Sequence, residues 1–395
     1  MIEKYYDGAI EQVAAGLGTV EKNHLLVRYS GQFSVENLND TKQLEKNEDI
    51  FVQVHEFETG EITCAYEPYL TMICDGFRRY MTGTFEEFME TCDVYYLHRP
   101  VLLGYFNQDN TGREEIILLD EVAYEQERML AALERMLCAI ADRHPVLFVL
   151  NRFQLASKST MQLTARFLKC ENCNIGLVLG VSDIQAMPEF LVPDWEMLYE
   201  TLDDGSKIYH IGNSGRKKEE TIDDEKYVDY GSEKVYRKLQ NMVEFLDFDQ
   251  AAYYLETIER KIKFDNLLVD DAARFRMWLL FVKVSILRQD IPKALEICED
   301  LEKIHLAGKE EECAYEQDYL IATAYMYQGK LKEALEMAGE TYRIAGKMSD
   351  DYRMFLSELL EAKIQMSGWY NIFFCAQDVK IKESLIQNLI RYNYR

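Results

Sequence analysis

Pro145-Val-Leu-Phe-Val-Leu150, then Asn151-Arg-Phe-Gln-Leu-Ala-Ser157, a helical pattern to Lys169 and Ile175-Gly-Leu-Val-Leu-Gly-Val181 form the stretch that decides the fold. Two short apolar runs rich in β-branched residues flank an amphipathic segment carrying Met161, Leu163, Phe167 and Leu168. Buried parallel strands joined by a crossover helix read this way, because a strand covered on both faces needs no polar alternation. In open sheets of this kind a ligand sits outside the carboxyl ends of the strands. Here that end carries Asn151 and Arg152.

Outward from this core, the chain offers further strands at Leu25–Tyr29, Ile50–Phe57 and Lys207–Ile211. Helical spacing marks residues 5–17, ended by Gly16 and Gly18, and the long stripe Met129, Leu130, Leu133, Leu137 and Ile140. Tyr66-Glu-Pro-Tyr-Leu70 leads into a helix through Tyr80, and a second follows at 85–92. Residues 94–120 stay open, with one reading making Val101–Phe106 and Ile116–Leu119 an extra hairpin around the turn-forming 107–112 segment.

The 145–157 text resembles the second nucleotide-binding motif of the STAND family of signal-transduction ATPases, in its bacterial regulator branch. That motif runs from an apolar strand into Asp-Asp-hydrophobe-Gln-Trp-Ala-Asp. This chain keeps Phe153, Gln154 and Ala156, whereas Asn151, Arg152, Leu155 and Ser157 replace the two acids, the Trp and the last acid. Tyr6–Val13 lies over the family's opening segment, keeping the aromatic and Gly8 but not the Arg. After the first strand, where the resemblance implies a phosphate loop, Gly31 is followed by Glu36, Asn37 and Leu38 at the expected Gly, Lys and Ser/Thr positions. Such a loop needs a Lys for the terminal phosphates and a hydroxyl for Mg²⁺, and a Glu there repels phosphate. The sensor Arg is matched by Asp183. The nucleotide-binding positions Gly31, Glu36, Asn37, Leu38, Asn151 and Arg152 are therefore expected to be non-functional for hydrolysis.

From about Glu233 the chain reads as helical throughout. Leu246–Ala251, Gln289–Ala294, Gly329–Ala334 and Gly368–Phe373 share a layout at offsets of about 40 residues. A turn residue comes first (Leu246 excepted), a large apolar residue two later (Phe248, Ile291, Leu331, Tyr370) and a small residue five later, Phe373 departing. The units resemble tetratricopeptide repeats, best in the third unit through Tyr325, Gly329 and Ala334. The expected architecture is an α/β three-layer P-loop NTPase-like domain with a mostly parallel sheet over 1–212, a charged linker over 213–232, and an all-α tetratricopeptide-like superhelix over 233–395.

Composition bounds the function. A formal charge of −25 on 395 residues argues against a general nucleic-acid binder, which needs a basic stripe, and against docking on anionic membranes. No signal-peptide text opens the chain and no apolar run reaches a membrane span. Nine cysteines without framework spacing point to reduced thiols and a cytoplasmic protein. Cys170-Glu-Asn-Cys173 is a single CxxC with no second pair downstream. A zinc site takes about four ligands, so the pair reads as the polar end of a helix, and neither metal nor cofactor is expected. The six histidines are scattered, and the acidic clusters at 203–204 and 223–225 read as solvated turns. The expectation is a non-catalytic signalling or scaffold protein whose repeat surface binds a protein or peptide. The alternatives are the sensory half of a larger regulator without its output domain, or a divergent ATP-binding NTPase. Arg260, Lys263 and Arg274, close to Lys261 and Arg276, form a basic cluster in an acidic chain. It is either a partner-contact surface or a set of charges balanced by neighbouring acids.

Overall fold

A computed structural model describes residues 2–17, 24–29, 49–58, 61–108, 122–170, 173–182, 187–203, 208–211, 229–265 and 267–370. Five strands form one sheet: β1 (Leu25–Tyr29), β2 (Phe51–Glu56), β3 (Val146–Asn151), β4 (Ile175–Ser182) and β5 (Ile208–Ile211). Their order across the sheet is β2-β3-β4-β1-β5. Every pairing is parallel, with Val149 opposite Val178, Leu25 opposite Val178 and Val54 opposite Val149. All six residues of β3 and all eight of β4 are buried, which is why both read as unbroken apolar runs.

Helix α1 (Ile2–Gly16) covers one face. Its Ala9, Ile10 and Val13 pack with Leu25, Val27, Leu147, Val149 and Val178, the residues that alternate toward that side. Gly176 permits the close approach: a Cβ there would lie 2.6 Å from Cγ1 of Val13. On the opposite face are α2 (Tyr69–Tyr80), α5 (Val122–Ala141) and α6 (Lys158–Lys169), following the short α3 (Phe85–Thr91) and α4 (Arg99–Asn107). There the Phe148 ring meets Tyr69 edge-on at 4.7 Å, and Tyr69 meets Phe167 at 5.4 Å. Helix α7 (Val192–Asp203) packs on α6 before β5.

Val101–Phe106 is helical, within α4, and not a strand of a hairpin. Pro100 in the first turn and Gln108 at the left-handed C-cap (φ 57°) set its ends, and a short apolar run alone does not separate helix from strand. Ile116–Leu119 lies outside the described residues, as do Gly31, Glu36, Asn37, Leu38, Asp183 and residues 212–228 of the expected linker.

Two compact units result. The first joins Met1–Asp229 with Arg237–Tyr254, and the second joins Tyr230–Tyr236 with Leu255–Arg395. The chain thus returns to the first unit through most of α8 (Glu233–Glu244) and the start of α9 (Phe248–Phe264). Side chains explain the return. Asn241 accepts the Ala65 N–H at 3.2 Å, the Phe245 ring sits edge-on to Tyr66 and Tyr105, and Gln126 donates to the Leu246 carbonyl at 2.7 Å.

The second unit continues as α10 (Asp271–Leu287), α11 (Ile291–Leu301), α12 (Glu310–Gln328), α13 (Leu331–Met348) and α14 (Asp351–Tyr370), each packed on the next. Arg353, in the first turn of α14, pairs with Glu312 and Glu316 near the start of α12. Helices α12 and α14 therefore run the same way, with α13 returning between them. Its Thr341 hydroxyl meets that of Ser357 at 2.9 Å in a fully buried position.

The repeat layout has a common backbone. Leu246, Gln289 and Gly329 all take positive φ, at 65°, 63° and 80°. In each case the following N–H, of Asp247, Asp290 or Lys330, donates to a carbonyl five residues back, on Met242, Ser285 or Tyr325. This is the Schellman closure of a helix, which leaves the next helix free to start at once. The small residues five positions on, Ala251, Ala294 and Ala334, are all 0% exposed. The fourth unit departs: α14 runs through Gly368, and a fourth closure of the same form occurs instead at Ser349 (φ 56°). Residues 371–373 lie outside the described residues.

Candidate functional site

The carboxyl ends of β1, β3, β2 and β4 bring Tyr29, Asn151, Glu56 and Ser182 to one edge of the sheet. Asn151 is fully buried, and the Tyr29 hydroxyl donates to its Oδ1 at 2.6 Å. Burial pushes the Tyr29 phenol up to about 12, against the lowering influence of the adjacent Arg152 cation, so the phenol remains a donor at neutral pH. Arg152 takes the left-handed backbone (φ 52°) and directs its guanidinium to Glu56 at 3.3 Å. Gln154, which the motif keeps, accepts the Ser182 N–H at 3.3 Å and so ties the end of β3 to the end of β4. Phe153 and Ala156 are fully buried. Phe153, Gln154 and Ala156 therefore act in packing: the two apolar side chains fill the core and the amide fastens two strand ends.

After one 3₁₀ turn at Phe153–Leu155, Ser157 caps α6 by accepting the Thr160 N–H. The same helix start receives a second set of acceptors from the returning segment of the first unit. Asp247 accepts the Ser159 N–H at 3.0 Å, Gln250 accepts the Lys158 N–H at 3.3 Å, and Asp249 pairs with the Lys158 ammonium. Asp247 is 4% exposed, and burial raises its carboxyl above the usual range even though Ser159 and Gln250 hydrogen-bond to it. The positive end of a helix next to a strand terminus is where an anionic ligand docks in nucleotide-binding folds. At α6 the protein supplies its own anion.

Arg152 and Asn151 are thus brought together as the sequence places them, and neither presents a carboxylate to solvent. No protein-family model matches the chain, and no curated protein matches it at significance.

In the second unit the basic residues are distributed over α9 and α10. Lys263 contacts Glu259 at 2.7 Å, Glu296 at 3.4 Å and Asp300 at 3.6 Å. Arg274 pairs with Asp271 at 2.7 Å, Arg276 with Glu233 at 2.8 Å, and Lys261 lies over the Tyr230 ring. Glu259 is the buried anchor, shared by Lys263 and Lys293. Most of the cluster therefore balances acids within its own unit. Arg260 is exposed, and next to it along the chain Phe264 and Leu268 are 76% and 93% exposed. Charge patterning marks the cations but not these two apolar side chains at the α9–α10 turn, whose signal is an apolar pair within a charged stretch. Core packing accounts for Phe275, Trp278 and Phe281, all buried.

Cys170 caps the end of α6, as the CxxC reading expects, but a third thiol joins it. The sulfurs of Cys138, Cys170 and Cys173 all lie within 4.8 Å of one another. Among the described residues no helix is long and apolar enough to cross a membrane.

Proposed function

We propose that the chain is a non-catalytic signalling or scaffold protein, built from a STAND-like, P-loop NTPase-like sheet that no longer hydrolyses nucleotide and a tetratricopeptide-like helical array that binds a protein or peptide. The observation that carries this reading is the state of Asn151 and Arg152. Phosphoryl transfer depends on a metal-binding acid and a water-orienting group at this strand end. Here the first position is a buried neutral amide bonded to Tyr29, and the second is a cation paired with Glu56.

Two further features support it. The order with β1 between β4 and β5 is the one expected of an AAA-like P-loop sheet, which agrees with descent from a nucleotide-binding ancestor. The recurring left-handed closures at Leu246, Gln289 and Gly329 agree with a repeat array, and arrays of stacked helix pairs present extended surfaces to partners. On that array we place the partner's anchor at Phe264 and Leu268, near the exposed Arg260 in the chain, since theirs are the most exposed large apolar side chains among the second unit's described residues and burying them would favour binding.

The test uses the full chain. Steady-state assays with Mg²⁺ and ATP or GTP are expected to give no turnover above buffer background, and cross-linking in lysate is expected to place partner contacts around 260–274. Turnover abolished by Asn151→Ala overturns the non-catalytic reading. Contacts that persist unchanged when Phe264 and Leu268 are both replaced by Asp, at unchanged melting temperature, overturn the proposed anchor.

A further inference from the structure

Three cysteines that are far apart in the chain meet at the amino-terminal edge of the sheet. Cys138 lies in the last turns of α5, Cys170 follows α6, and Cys173 stands two residues before β4. This edge is opposite the one that carries Tyr29, Asn151 and Glu56, because all strands are parallel. None of the three is in a disulfide. Cys173 is buried, while Cys138 and Cys170 are partly exposed, so the group has an apolar back and an open front.

We propose that Cys138, Cys170 and Cys173 bind one thiophilic metal ion, Zn²⁺, through three thiolates, with a solvent molecule completing a tetrahedron. The geometry is close to what the ion requires. A Zn–S distance of about 2.3 Å sets neighbouring sulfurs about 3.8 Å apart in a tetrahedral site. The three sulfurs are within 4.8 Å already, and small χ1 rotations of unbranched side chains close the difference. Three soft sulfur donors select Zn²⁺ over Mg²⁺ or Ca²⁺, which take oxygen. The other buried cysteines, Cys74, Cys92 and Cys298, are pushed up by burial and behave as core residues.

Such an ion would fasten α5 to the α6–β4 connection. It would stabilise the first unit by mass action, since the unfolded chain does not hold three thiolates together. The partly open front makes it a three-ligand site of the kind that keeps one position for an exogenous group.

The experiment takes the full chain, reduced with a phosphine and stripped of metal, and titrates it with Zn²⁺ against a chromophoric chelator and separately with Co²⁺. The expected result is one Zn²⁺ per chain, a sulfur-to-cobalt charge-transfer band, and a higher melting temperature with Zn²⁺. Cys138→Ser is expected to weaken Zn²⁺ binding at least tenfold and to abolish the melting shift, whereas Cys298→Ser leaves both as in the wild type. Absence of the charge-transfer band in the reduced wild-type chain overturns the proposal, and this readout stands even if a variant fails to fold. Equal Zn²⁺ affinity in Cys138→Ser and wild type overturns it too.

Discussion

The Tyr29 hydroxyl and Asn151 Oδ1, 122 residues apart in sequence, are joined by a 2.6 Å buried hydrogen bond across the carboxyl edge of the sheet. Tyr29→Phe is expected to cost about 1 kcal/mol, the usual net worth of one such bond. A double-mutant cycle with Asn151→Ala should give a coupling of about 0.5–3 kcal/mol in chemical denaturation. Additive single effects would show that the two side chains do not depend on each other.

Placing acids at 151 and 152 should not produce an enzyme. Asn151→Asp puts a carboxylate into a fully buried site, and an ionised group there is expected to destabilise the fold by about 1–3 kcal/mol. On the proposed reading, which sets Asn37 and Leu38 at the positions of a phosphate-binding Lys and a magnesium-binding hydroxyl, neither this change nor its combination with Arg152→Asp should produce ATP turnover. Any turnover gained by the double variant contradicts this.

The shared turn makes opposite predictions for residues that look alike in the backbone. Gln289 is exposed with φ 63°, a conformation that disfavours a side chain, so Gln289→Gly should raise stability by about 0.5–1 kcal/mol. Gly329→Ala, at φ 80°, should lower it by about 1 kcal/mol. Leu246 has the same φ but is only 3% exposed. Leu246→Gly therefore loses its buried side chain and should be net destabilising, by about 1–3 kcal/mol. Thermal melts of the three variants test the signs.

Gly176→Ala should loosen the seat of α1. The new methyl would press on Val13 and on Leu147, 2.6 and 3.3 Å away. Val13 is stiff at χ1, so the helix must shift, at a cost of about 1–3 kcal/mol. The denaturation midpoint should fall without a change in the second unit's helicity. An unchanged midpoint would mean that α1 sits more loosely than its packing implies.

Asp318 links stability to pH. Burial first, and Glu302 second, push its carboxyl from 3.8 to about 6. The folded chain holds the proton more tightly than the unfolded one. The stabilisation is therefore complete below about pH 4 and is lost as pH rises through about 6. Asp318→Asn, which keeps the neutral form at every pH, should match the wild type near pH 4. Above about pH 7 it should exceed the wild type by on the order of 1 kcal/mol, after screening at this half-exposed position. A gap of the same size at both pH values would assign the effect to something other than ionisation.

Parts of this molecule can be read directly. The β-branched runs at 146–150 and 175–181 announce buried strands because no polar alternation interrupts them. The Ala251, Ala294 and Ala334 positions reveal close helix packing by their smallness. Other parts cannot be read, for definite reasons. Leu246 gives no sign of its left-handed backbone, since the tertiary core holds the side chain and overrides its local preference. Val101–Phe106 is too short for its period to decide, and Pro100 was the better signal. Cys138 precedes Cys170 by more than thirty residues, and only the crossing of α5 over the sheet brings them together. The carboxylate of Asp247 at the start of α6 is equally invisible, because the local cap, Ser157, is readable in the sequence whereas this second acceptor comes from a segment 88 residues downstream.

That last contact has a consequence for the order of synthesis. The sheet is covalently complete once Ile211 has been made, yet the amide groups of Lys158 and Ser159 have no acceptors from Gln250 and Asp247 until the chain has grown past them. At about 5–20 residues per second the ribosome needs a few seconds to supply this segment. During that interval the nascent first unit carries a helix end capped by Ser157 alone and a Tyr66 ring without its Phe245 partner, and its folding is closed by residues that emerge after the chain has already begun its next unit.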